Sequence, residues 1–158
     1  MEHINLQSVK IAVTGFFAAL TAWMGALACP VYILIGLNLV DYFTGYTAAP
    51  YRGQARSSSV GVRGIDKKVC MLLLVVLGGV LDWLMGYAIQ TVGITIPFQF
   101  FVAALVAVWL ICNEIISILE NIGDIGVELP PFLLRLVKWV KAGAEDKAKV
   151  PEKEERNA

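Results

Sequence analysis

The chain has 158 residues, 58% hydrophobic and 16% charged, with a formal net charge of zero and a mean hydropathy of +0.69. Soluble domains carry close to a quarter charged residues, and a neutral chain offers no basic footprint for nucleic acid. Thirty consecutive residues, Ile11 to Val40, contain no Asp, Glu, Lys or Arg; a soluble core of this size cannot hide such a run, whereas about 20 apolar residues span a bilayer. The composition therefore excludes an ordinary soluble domain and predicts an all-α integral membrane protein.

Taken in chain order, the apolar runs predict four transmembrane helices over about 11–28, 31–49, 69–89 and 97–118. The start of the first run imitates a secretory signal through Lys10 and Ala26-Leu27-Ala28, and Cys29 imitates a lipoprotein site. Against both, Glu2 weakens the basic flank, Pro30 follows the would-be cleavage point, and Ala26 stands where a lipoprotein signal needs a larger aliphatic residue. An uncleaved first span is expected. Pro30 interrupts the apolar run, since it cannot donate a helical hydrogen bond and restrains its predecessor, so a tight turn is expected at Cys29-Pro30. One long kinked helix over both runs would reach about 58 Å, nearly twice the hydrocarbon thickness.

Between the second and third spans, residues 50–68 carry Arg52, Arg56, Arg63, Lys67 and Lys68 against the single acid Asp66. This is read as a basic loop. Residues 90–97 carry no charge, while the C-terminal part holds Arg135, Lys138, Lys141, Lys147, Lys149, Lys153 and Arg156. By the positive-inside bias the basic loop and both termini are expected in the cytoplasm. After a transmembrane domain over 1–128, Pro130-Pro131 starts an amphipathic helix over 129–143. Phe132, Leu133, Leu136, Val137 and Val140 lie on its apolar face, opposite Arg135, Lys138 and Lys141. It is expected to lie on the inner leaflet with Trp139 at headgroup depth. Residues 144–158, rich in Glu, Lys, Asp and Pro, are expected to form a disordered charged tail.

Ionisable groups inside the spans carry the sharpest signal, because each costs several kcal/mol at bilayer depth unless paired, hydrated or protonated. Asp41, Asp82 and Glu114 fall in this class. They either line a polar path or pair with a neighbouring helix, and a third reading joins the two: paired in the monomer, re-exposed on assembly. Asn113, Ser117, Glu120 and Asp124 recur at i, i+4, i+7 and i+11, flanked by Glu114 and Asn121. Such a stripe suits contact between helices in lipid or marks the helix leaving the bilayer. Ala18, Ala22 and Ala26 form a small-residue stripe that allows close approach of a second helix. Cys29, Cys70 and Cys112 are scattered in apolar runs and give neither a disulfide framework nor a metal spacing. With His3 as the sole histidine, no histidine-based catalytic site or metal cluster can be assembled. No enzymatic activity and no cofactor are expected. The glycines and lysines of Gly61 to Lys68 lack the phosphate-loop spacing and suit anionic headgroups instead.

Four stretches, in order, resemble one family. They are Asp41-Tyr42-Phe43-Thr44-Gly45; Ser57-Ser58-Ser59-Val60-Gly61 through Gly64 to Lys67-Lys68; Leu81-Asp82; and Asn113-Glu114 with Ser117 to Asn121, followed by Gly126 and Pro130. Over roughly 35–132 the chain is similar to the phage holin family that includes the clostridial toxin-secretion holins. That resemblance implies a small protein that oligomerises in the bacterial cytoplasmic membrane and opens lesions. An endolysin or an exported toxin would cross them without a specific binding site. The positions matching the family pattern are Asp41, Thr44, Gly45, Ser58, Gly61, Gly64, Lys68, Asp82, Asn113, Glu114, Ser117, Glu120 and Asn121, none of them catalytic. The expected partners are thus the lipid bilayer and further copies of the chain. Two other readings stay open on the residues alone: a small regulated ion channel with Asp41 and Glu114 as a charged ring, and a membrane adaptor or antiholin without its own pore.

Overall fold

A computed structural model describes residues 5–54, 58–93 and 100–148. They form five α-helices with no strand among the described residues: α1 Leu6–Met24, α2 Ala28–Ala48, α3 Ser58–Thr91, α4 Phe101–Asp124 and α5 Pro131–Lys147. Three helical stretches are long and apolar enough to cross a membrane, namely Leu6–Arg52, Gly64–Thr91 and Phe101–Asp124. The protein is an all-helical, membrane-inserted chain.

The first stretch is broken, but not at the expected residues. Its break is a single 3-10 turn over Gly25–Leu27, entered at Gly25 with φ +52° and ψ −124°, a backbone geometry that glycine tolerates best. Pro30 instead sits in the first turn of α2, where the missing N–H would have had no helical partner anyway. The Thr21 hydroxyl meets the Tyr32 hydroxyl at 2.5 Å across the bend; eleven residues of straight helix would separate them by about 16 Å. At its other end α1 is capped by the Asn5 side chain, which accepts from the Gln7 N–H at 3.1 Å. From Leu6 to Ala19 every residue of α1 is exposed, Phe16, Phe17 and Ile11 among them.

The segment expected as a basic loop over 50–68 is shorter than that. A 3-10 turn covers Ala49–Arg52 and closes on Gly53 with φ +70°, and α3 begins at Ser58, so its first turns carry Gly64, Lys67 and Lys68. With 34 residues, α3 is about 51 Å long at the helical rise. Its apolar part exposes Leu73, Leu77, Val80, Leu81, Trp83 and Leu84. That continuous surface far exceeds what a water-soluble monomer leaves uncovered, and lipid is its natural solvent.

Helix α4 lies at the centre, packed on α2, α3 and α5. Ala103, Ala107 and Leu110 form its buried stripe, joined by Leu34 of α2, Met71 and Val75 of α3, and Met24. Small residues let the backbones close up: a Cβ on Gly78 would lie 2.9 Å from the Ala103 Cα and 3.1 Å from its N. A second cluster joins Cys112 and Leu119 of α4 to Val137 of α5, with Leu133 and Leu134 packed beside them. The C-terminal helix therefore lies against α4, and it continues through Lys147, four residues beyond the expected boundary.

Candidate functional site

The buried stripe of α4 does not end with its apolar residues. Continuing Ala103, Ala107 and Leu110 at helical spacing brings Glu114 and Asn121 onto the same face, both buried. On α2 the matching stripe runs Leu34, Asn38, Asp41, Gly45 and Ala48; Leu34, Asn38 and Ala48 are buried, Asp41 and Gly45 partly so. Where these stripes meet, Lys68 enters from α3.

The Lys68 ammonium donates to Asp41 Oδ2 at 2.8 Å and Glu114 Oε2 at 2.5 Å, and to Asn38 Oδ1 at 3.2 Å. Side-chain exposures of 15% for Lys68, 17% for Asp41 and 5% for Glu114 place the trio largely away from solvent. Asn121 Nδ2 donates to Asp41 Oδ1 at 3.0 Å and Thr44 Oγ1 at 3.2 Å, while the Arg52 guanidinium donates to Asn121 Oδ1. Arg52 Nε also pairs with Asp124 at 3.0 Å. Gly45 lies against the Asn121 amide and Gly64 against the Tyr42 ring, at distances of 3.5 and 3.9 Å from a Cβ that would be ordinary contacts. One lysine thus ties three helices together, with two carboxyl groups gathered around one ammonium. Among the described residues, Asn38 Nδ2 is buried without a hydrogen-bond partner, which is unusual for a native interior.

Asp82 stands apart from this network. Its two carboxylate oxygens accept from the Val102 and Ala103 backbone N–H groups, both at 2.8 Å. These N–H groups open α4 and have no partner within that helix. A side chain of α3 therefore caps α4, with its charge at the positive end of the helix dipole. Phe100, the residue before α4, has φ +61° and stacks edge-on against Trp23 at 5.7 Å.

The structure brings together Asp41, Thr44, Gly45, Lys68, Glu114 and Asn121 of the residues singled out from sequence. Asn113 and Ser117 are only partly buried, Glu120 and Lys67 are exposed, and none of the four joins the network. The polar stripe that matters is Glu114–Asn121, rotated from the stripe Asn113, Ser117, Glu120, because α4 is oriented by its alanines packing on α2 and α3. Ala18, Ala22 and Ala26 are exposed, and Ala26 lies in the 3-10 turn, so the stripe ends with α1. The surroundings of Ser58 and Gly61, both within the first turns of α3, are not among what the structure describes. Sequence reasoning missed Asn38 and Arg52. Asn38 was legible as the residue one helical turn before Asp41; Arg52 carried no such signal.

A profile of the bacteriophage holin family matches residues 18–142 of the chain. An uncharacterized protein of Listeria innocua is 32% identical over 146 residues, covering 92% of this chain and 96% of that protein. One of Halalkalibacterium halodurans is 35% identical over 130 residues, covering 82% and 90%, and one of Clostridium perfringens is 32% identical over 139 residues, covering 87% and 93%. No solved structure is significantly similar.

Proposed function

The chain belongs to the bacteriophage holin family, and from that premise we propose that it assembles in the bacterial cytoplasmic membrane and opens lesions through which an endolysin, or in a secretory setting a toxin, passes. The observation that carries this reading beyond membership is the distribution of polarity. Charges are gathered on the buried faces of α2, α3 and α4, around Lys68, while the outward faces of α1 and α3 are apolar. A chain built this way inserts as a monomer with its ions satisfied internally. It holds in reserve a set of polar groups that can turn toward water when copies assemble.

The topology proposed with it has four spans and both termini in the cytoplasm. The stretch Leu6–Arg52, 47 residues long, supplies two spans folded at Gly25, and the basic residues Arg52, Lys67 and Lys68 gather at the cytoplasmic end. Induction in a bacterial host, with culture density and membrane potential followed with and without a co-expressed signal-less endolysin, tests the function. Abrupt depolarisation followed by lysis only when endolysin is present is the expected result. Depolarisation without endolysin release would replace the lesion with a narrow channel, and undisturbed growth of cells carrying inserted protein would leave an adaptor.

A further inference from the structure

Two buried asparagines lie in the charged seam, and they are used differently. Asn121 has both ends of its amide engaged: Oδ1 accepts from Arg52, and Nδ2 donates to Asp41 and Thr44. Asn38, 6% exposed, has its oxygen on the Lys68 ammonium at 3.2 Å. Its Nδ2 is buried with no acceptor among the described residues.

Turning the Asn38 amide over does not help. The reversed group would set its NH2 against the Lys68 ammonium, which has only donors to offer. That ammonium has three hydrogens, matched by Asn38 Oδ1, Asp41 Oδ2 and Glu114 Oε2. The spare donor on Asn38 therefore follows from the cation beside it.

A buried amide without an acceptor is costly, and hydrocarbon supplies none. On the outer side the seam is closed by Leu34 and Leu110, both wholly buried, one helical turn beyond Asn38 on α2 and Glu114 on α4. Toward the cytoplasmic end it continues through hydrogen-bonded polar groups, Asp41, Asn121 and Arg52, to Asp124. The acceptor that suits such a place is small and can donate onward to a carboxyl. Water does both, and buried waters are characteristically held by several polar groups at once.

We propose that the resting chain holds a buried water molecule at Asn38, which accepts from Nδ2 and donates to the Glu114 carboxyl. Asp41 already has both oxygens engaged, by Lys68 and Asn121. Glu114 meets the same ammonium as Asn38 and is its neighbour there. The trio around Lys68 is thus hydrated from inside the helix bundle, and Asn38 is the residue that retains the water. The site belongs to a single chain and does not depend on the lesion reading.

The unaltered full-length chain, deuterated at carbon and nitrogen-labelled at asparagine in deuterated detergent micelles, supplies the test. Magnetisation is transferred from water to the side-chain amides. The sign of the rotating-frame cross peak separates a water held in contact from hydrogens that exchange with solvent. A contact peak is expected at the Asn38 Nδ2 hydrogens and none at those of Asn121, whose donors meet protein acceptors. No peak at Asn38, or an exchange peak alone, would overturn the proposal. So would equal contact peaks at Asn38 and Asn121, which would make the whole seam wet and leave Asn38 no special role.

Discussion

The seam between α3 and α4 is fastened at two points, and the two solve one problem differently. Near Lys68 a carboxylate from each of α2 and α4 is satisfied by a cation from α3. Near Asp82 a carboxylate is satisfied by two backbone N–H groups at the start of α4. The first fastening is a side-chain network in which each member depends on the others. The second is a cap, in which one side chain meets dipoles that exist as long as α4 does. An acid in a membrane helix therefore implies a partner without implying which kind, and the two kinds fail differently when cut.

The largest difference is expected from Lys68→Ala. Removing the ammonium leaves Asp41 and Glu114 buried together with no counter-charge, a loss of about 3–5 kcal/mol typical of a broken buried pair. Unfolding in mixed detergent micelles should register it. Combining Lys68→Met with Asp41→Asn and Glu114→Gln should restore much of the loss, because neutralising the whole set removes the unpaired charge. A triple variant as unstable as Lys68→Ala would mean that the network stabilises through its charges and not merely by their mutual compensation.

Between the two fastenings, Gly78→Val would push a side chain into the Ala103 backbone, 2.9 Å from the position of a Cβ. Overpacking of this kind costs about 1–3 kcal/mol. The same micelle assay should show the loss, and engineered cysteine pairs across the seam should cross-link more slowly. Asp82→Ala comes next, with a cost near that of a lost helix cap, about 0.5–2 kcal/mol. Asp82→Asn should fall between, keeping one acceptor but losing the charge at the helix dipole. Amide exchange at Val102 and Ala103 should quicken in both, and protection unchanged in Asp82→Ala would refute the capping role.

The smallest effect is expected at Arg52→Gln. Its bridge to Asp124 joins side chains that are 36% and 42% exposed, and exposed pairs contribute about 0–1 kcal/mol. That contribution should shrink as salt is raised, whereas the Lys68 penalty should change little. A salt-insensitive loss at Arg52 would show that its contact with Asn121 is the greater part of its role.

Much of this was legible before any coordinates. Asp41, Glu114 and Asn121 stand out because polar groups inside apolar runs must find partners. Lys68 was legible as a basic residue but was assigned to a loop, since nothing local reveals that α3 begins at Ser58 and carries it into the bundle. Pro30 gave a false turn signal, because a proline in the first turn of a helix reads the same as one that breaks it. The apolar face expected on α5 is present, but only one edge of it meets α4.

By itself, then, the sequence determined that the chain is helical and lives in a membrane, since run length and hydropathy are properties of consecutive residues that any fold must respect. It also determined that Asp41, Asp82 and Glu114 must each be satisfied by something. Only the tertiary structure decided by what. Lys68 lies 27 residues from Asp41 and 46 from Glu114, Asp82 caps a helix that starts 19 residues later, and the rotation of α4 chose Glu114 and Asn121 over Asn113 and Ser117. Those choices follow from where Gly78, Ala103 and Ala107 let the helices approach. Packing is settled among all the helices at once, and no local pattern encodes it.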